Sequence, residues 1–293
     1  MNLLLAHDLG PHLAVGLWLR WTFEPFTILL LFVSAALYAA GVAALWRRAG
    51  RNRGLKAWQA AAFYAGLVSL AAALLSPVAW LSELLFSVHM TQHEILMLIA
   101  APLLVFGRPL QAMTWALPAR SRSSIVHTVA EPHVAAAWQW LTGPTAAFLL
   151  HAAAIWIWHA PRLYEAALRS TGIHALEHLS FVLTACLFWW GMVNGRYGRA
   201  GYGIGVLYVF VTAVHTSVLG ALLTVAPSLW YPSYGTAAAR WNIDAIADQQ
   251  LAGLLMWVPS GIAFIVFGLG LMAAWLGESE RRARLGSVPK GVL

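Results

Sequence analysis

Residues 87–109 read Ser-Val-His-Met-Thr-Gln-His-Glu-Ile-Leu-Met-Leu-Ile-Ala-Ala-Pro-Leu-Leu-Val-Phe-Gly-Arg-Pro. The apolar run that follows Glu94, taken with the turns before it, is long enough to cross about 30 Å of hydrocarbon as a helix. Its first two turns nevertheless carry His89, Met90, His93 and Glu94. Lipid penalises ionisable groups at such depth, and they persist there mainly where they pair, relay or bind something.

Working outward, six more apolar runs of comparable length flank this one. The expected spans are roughly 25–46, 57–75, 84–106, 143–159, 174–193, 203–226 and 247–276. A chain of 293 residues that is 60% hydrophobic and only 10% charged, with a mean hydropathy of +0.70, cannot hide these runs in a soluble core. The expected fold is all-α, a single polytopic membrane bundle of seven transmembrane helices over residues 1–293. The fourth run is short, and Pro144 behind Thr142-Gly143 marks a helix start, so this span either stands upright or begins in the preceding loop. The start of the chain, Met1–Gly10, lacks a basic leader region and is interrupted by His7 and Asp8, which argues against a cleaved signal peptide.

The net charge of +7 invites a nucleic-acid reading until the basic residues are placed on the loops. Segment 47–56 holds Arg47, Arg48, Arg51, Arg53 and Lys56; segment 107–141 holds Arg108, Arg120 and Arg122; Arg196 and Arg199 lie in 194–202; Arg281, Arg282, Arg284 and Lys290 lie in the tail. Only Arg20, Arg162, Arg169 and Arg240 fall on the other side. The positive-inside rule therefore puts the N-terminus outside and the C-terminus in the cytoplasm. The charge is a topology signal, with lipid as the surrounding partner and no nucleic acid implied.

Two further features follow from composition. The apolar positions between Ile125 and Trp140 point to an interfacial helix broken near Pro132. Segments 159–173 and 227–246, with Pro161, Tyr164, Pro227, Tyr231, Pro232 and Tyr234, read as packed turns forming a lid over the outer face. The single cysteine, Cys186, excludes an intramolecular disulfide and any paired-cysteine metal loop.

With that topology, nine of eleven histidines fall outside or within the membrane. Four residues along a helix turn through nearly one full revolution and advance about 6 Å, so His89 and His93 share a face, with Met97 a turn deeper. His174 and His178 repeat the spacing on the fifth span. Two facing pairs present four imidazoles, a donor set that suits copper, zinc or iron. Asp248 at the start of the seventh span offers a carboxylate as ligand or orienting partner; His159 and His215 are further candidates, as is His151. A lone histidine at a helix end more often serves as a hydrogen-bonding residue, and only the recurrence of the pair at one level shifts the balance to a metal or haem site. Met90 and Met97 read as packing, Cys186 as core. Glu94 and Glu177 either orient imidazoles or pair with Arg162 or Arg169.

The motifs, in order, are His89-Met90-Thr91-Gln92-His93 leading to Gly107-Arg108-Pro109, then Trp158-His159-Ala160-Pro161 with Tyr164, His174 to His178, Tyr231-Pro232, and Asp248-Gln249-Gln250-Leu251-Ala252-Gly253 to Met256-Trp257-Val258-Pro259. Together they resemble the seven-helix CtaG family of cytochrome c oxidase assembly proteins, in the branch associated with caa-type oxidases. The resemblance implies a bacterial inner-membrane factor, with an oxidase subunit as partner, that matures the oxidase by handling copper. The expected site is His89, His93, His174 and His178, with Asp248, His159 and His215 as further ligands or supports. The rivals are a haem-binding protein or a copper-dependent redox enzyme, and a metal-free scaffold; a metal-handling role without catalysis is the preferred expectation.

Overall fold

Proline sets the beginnings of the helices. In the computed structural model, which describes residues 16, 20–194, 201–239 and 242–286, helices start at Pro25, Pro77, Pro109, Pro132, Pro144, Pro161 and Pro232. The fixed φ and missing N–H of proline cost nothing in a first turn, whose N–H groups have no helical partner anyway. The helices in chain order are α1 (Pro25–Ala49), α2 (Ala57–Leu74), α3 (Pro77–Ser82), α4 (Phe86–Phe106), α5 (Pro109–Ala116), α6 (Ala119–Ala130), α7 (Pro132–Leu141), α8 (Pro144–Trp158), α9 (Pro161–Arg169), α10 (Thr171–Asn194), α11 (Gly201–Val225), α12 (Pro232–Ala239) and α13 (Ala245–Gly286). No strand occurs among the described residues.

Six of these helices are long and apolar enough to cross a membrane: α1, α2, α4, α10, α11 and α13. A seventh crossing exists if α7 and α8, bent by 56° at their junction, count as one. The short fourth span thus does have a helical lead-in, and the expected break at Pro132 separates α6 from α7. Large apolar side chains line the outside of the bundle, among them Phe26, Phe32, Val68, Phe210, Ile262 and Val266. That surface suits hydrocarbon, where backbone polar groups are satisfied within each helix. His7 and Asp8, used above to argue against a signal peptide, and Arg196, Arg199, Arg240 and Lys290, used to argue topology, lie outside the described residues.

Close helix approaches are made where side chains vanish. On α11 and α13, Gly220 and Gly253 lie back to back: a Cβ on Gly253 would stand 2.6 Å from the Gly220 carbonyl oxygen. Small residues at such crossings let backbones touch where lipid supplies no hydrophobic drive. A second seam joins α1 to α5, where Gly41 abuts the Ala112 carbonyl. Tyr38 stacks on Phe63 at 3.8 Å and donates to the Gly107 carbonyl at 2.7 Å.

Helix α4 changes its winding below its histidines. Residues Ile95–Ala100 form a π-helical turn, in which Ala101 N–H reaches back to the Leu96 carbonyl. Continuing this pattern would pair the Met97 carbonyl with the N–H of residue 102, but residue 102 is proline and has none. The indole N–H of Trp189 on α10 fills the gap at 2.9 Å. The wide turn thus ties α4 to α10 one turn below the polar cluster. Met90 and Met97 are buried in the surrounding apolar core, and Cys186 packs against its edge.

Candidate metal centre

Asp248 starts the construction. Its carboxylate accepts the backbone N–H of Phe86 at 2.7 Å and that of Ser87 at 3.4 Å, along with the Ser87 hydroxyl. The first N–H groups of any helix lack partners, and a carboxylate there satisfies them and opposes the dipole. A residue 162 positions away therefore caps α4 and fixes where its first turn, with His89, begins. Asp248 is accordingly absent from the groups of side chains close enough to hold an ion.

The two histidine pairs face each other across α4 and α10. Ring centroids of His89 and His93 are 4.4 Å apart, and those of His174 and His178 4.2 Å. Across the gap His89 lies 5.2 Å from His174, and His93 5.3 Å from His178. His159, the residue that ends α8, approaches His93 at 6.2 Å. Two sets of three donor residues have ligand atoms within 4.8 Å of one another: His89 with His174 and His178, and His89 with His93 and Glu177.

Tyrosines roof the cluster. Tyr164, Tyr231 and Tyr234, from α9 and the α11–α13 connection, are buried at 0%, 1% and 3% exposure, so the expected lid segments do pack over this end of the bundle. Tyr164 stacks on Tyr231 at 4.1 Å, Tyr231 donates to the His159 carbonyl at 2.8 Å, and Glu165 holds the first turn of α12 through the N–H and hydroxyl of Ser233. Burial pushes all three phenols above their usual range, so they remain protonated. Tyr234 spends its one hydrogen on the Ser82 carbonyl at 3.1 Å. Its oxygen lies 2.6 Å from His89 Nδ1 and so accepts Nδ1–H, which leaves the lone pair on His89 Nε2. In the same way His159 gives Nδ1–H to the Ile155 carbonyl at 2.7 Å and keeps Nε2 for a ligand.

Six buried atoms in this cluster have no hydrogen-bond partner: His93 Nδ1, His159 Nε2, His174 Nε2, His178 Nε2 and both Glu177 oxygens. Leaving one such group unsatisfied costs about 1–3 kcal/mol, more when charged. Glu177 is 0% exposed, and its nearest cationic candidate is His93 Nε2 at 3.9 Å. The expected pairing with Arg169 does not occur, because Arg169 pairs with Glu165 one turn earlier. A cation among these atoms would satisfy several at once. His89 Nε2 and His93 Nε2 stand 2.9 Å apart, and tetrahedral ligands at about 2.0–2.1 Å from an ion would stand about 3.3 Å apart.

Two sequence candidates lie elsewhere. His215 on α11 uses Nδ1 to accept the Trp156 indole N–H at 3.3 Å. His151 donates Nδ1–H to Thr184 Oγ1 at 3.1 Å, since Thr184 sends its own hydrogen to the Ser180 carbonyl. Neither belongs to the two donor sets. Conversely, Tyr234, read from the sequence only as part of the lid, contacts His89, and Glu177, for which orienting an imidazole was one of two expected roles, lies beside His93.

Residues 36–278 match the family model described as cytochrome c oxidase caa3 assembly factor. The chain belongs to that family. Similar curated proteins are uncharacterized proteins from Mycobacterium bovis, 27% identical over 280 residues, and Mycobacterium leprae, 26% identical over 300 residues. These alignments cover 90% and 96% of this chain but only 40% and 43% of the relatives, so the chain spans about two-fifths of their length. No solved structure matches. The chain is thus an all-helical member of the caa3 assembly factor family with several helices of membrane-crossing length, and its buried histidines converge in one cluster.

Proposed function

We propose that this assembly factor binds copper between α4 and α10 and supports maturation of the oxidase's metal centres. The observation that carries the reading is the convergence of orphaned imidazole nitrogens and a partnerless carboxylate in one buried cluster. Neutral imidazoles suit copper, zinc or iron, and a role in assembling an oxidase favours copper among them as the cargo. His89, His93, His174 and His178 would hold it, with His159 and Glu177 within reach. Asp248 positions α4, and Tyr234 sets the His89 tautomer; supporting partners of this kind orient a ligand and raise its basicity.

Access favours an exchanging cargo over a sealed cofactor. A cleft of about 270 Å³, lined by Glu83, Thr171 and Ser233 as well as His89, His174 and Tyr234, leads from the surface to the centre. With the basic loops in the cytoplasm, this cleft faces outward from a bacterial inner membrane, where an oxidase subunit would receive the ion. Haem is disfavoured because a macrocycle between α4 and α10 would have to fit between rings whose centroids are only 5.2 Å (His89 and His174) and 5.3 Å (His93 and His178) apart.

Elemental analysis of the purified protein after copper loading, beside a variant with His93 and His178 both changed to Ala, tests the reading. Stoichiometric copper in the parent and its loss in the variant are expected. A Soret band would return haem as the ligand. A parent that binds no copper while still supporting oxidase assembly would make the protein a scaffold.

A further inference from the structure

The two donor sets share one residue. His89 stands with His174 and His178 in one and with His93 and Glu177 in the other. Its Nδ1 is committed to Tyr234, so Nε2 is its one remaining donor atom. An imidazole nitrogen has a single lone pair in the ring plane and binds one ion at a time. The sets therefore exclude each other so long as the Tyr234 contact stands.

They also differ in exposure and charge. His174 is half-buried and lines the cleft; every member of the second set is buried. The first set is three neutral rings. The second includes the Glu177 carboxylate, which lacks any hydrogen bond in an apolar surround. An unpaired buried carboxyl holds its proton; a monovalent ion moving from the first set to the second would replace that proton, and attraction between the ion and the carboxylate is strongest where water is excluded.

We propose that the centre holds one ion in two successive positions: His89, His174 and His178 receive it from the cleft, and His89, His93 and Glu177 retain it. His89 Nε2 stays bound throughout, so the ion is passed by ligand exchange and is never released. His174 and His178 leave as His93 Nε2 and a Glu177 oxygen enter; the hydrogen on His93 Nε2 moves to its own orphaned Nδ1, which keeps the ring neutral, and the proton of the buried Glu177 carboxyl is released to solvent through the cleft. No electron is transferred. This handover rests on the copper reading above and specifies how the site would work.

The test loads detergent-purified protein with Cu(I) under anaerobic conditions, counts ions per chain, and then strips them with a water-soluble Cu(I) chelator. One ion per chain is expected. E177Q, which preserves shape, should load at the parental rate but lose its ion about tenfold faster or more. H174A should load about tenfold more slowly and, once loaded, lose its ion no faster than the parent. Circular dichroism and size-exclusion profiles matching the parent qualify each variant. Two ions per chain, or loading and stripping altered alike in both variants, overturn the handover while leaving copper binding intact. No copper in the parent overturns both.

Discussion

The carboxylate of Asp248 lies 2.7 Å from the backbone N–H of Phe86, so the last membrane helix caps the helix that carries His89 and His93. Asp248, expected as a ligand or an orienting partner at the level of the histidines, is used to hold His89 and His93 in place. Replacing it with Ala should remove the cap, at about 1–2 kcal/mol by analogy with caps inside one helix. Thermal unfolding in detergent should show the loss even in metal-free protein. A ligand would behave differently: its removal would leave the metal-free protein as stable as before.

Tyr234→Phe should weaken copper about 10–100-fold without changing its stoichiometry, since it deletes the hydroxyl that fixes the His89 tautomer. Competition against a Cu(I) chelator of known affinity measures this. An unchanged affinity would mean that His89 finds its orientation without the phenol.

The Gly220–Gly253 crossing predicts that Gly253→Ala destabilises the bundle by about 1–3 kcal/mol through overpacking. The added methyl meets backbone on α11, which cannot rotate away as a side chain would. A lowered unfolding temperature is the expected reading, and an unchanged one would show that the two helices can separate at no cost.

Glu83 sits at the cleft, outside the spanning segments, and burial raises its carboxyl above the ordinary value of 4.5. A raised carboxyl binds its proton more tightly in the folded state, so its charging costs stability as pH rises through the interval above 4.5. Glu83→Gln removes that cost. The variant should match the parent below this interval and gain on it above, in unfolding temperatures recorded against pH.

Much of the bundle could be read from residue order alone, because apolar length and proline starts are local properties. The facing of His89-x-x-x-His93 and His174-x-x-x-His178 followed from helical geometry once both were placed at one level. What escaped depends on distant partners. Asp248 acts on a residue 162 positions away, Tyr234 on one 145 away, and no periodicity connects them. Glu177 invited an arginine partner, but Arg169 already had Glu165 four residues before it on its own helix. The π turn of α4 was invisible because Pro102 affects the winding of the turn before it, which apolar content does not record.

The bond between Tyr234 and His89 bears on the order in which the molecule is made. His89 is added early in synthesis, whereas Tyr234 and then Asp248 are added only after α11, the last spanning helix but one, is complete. A nascent chain emerges from its N-terminal end and its units settle in that order. Until the final helix arrives, His89 has neither a fixed tautomer nor a capped helix beneath it. A half-made chain therefore lacks the assembled histidine cluster, which is complete only once the last spanning helix has joined the bundle.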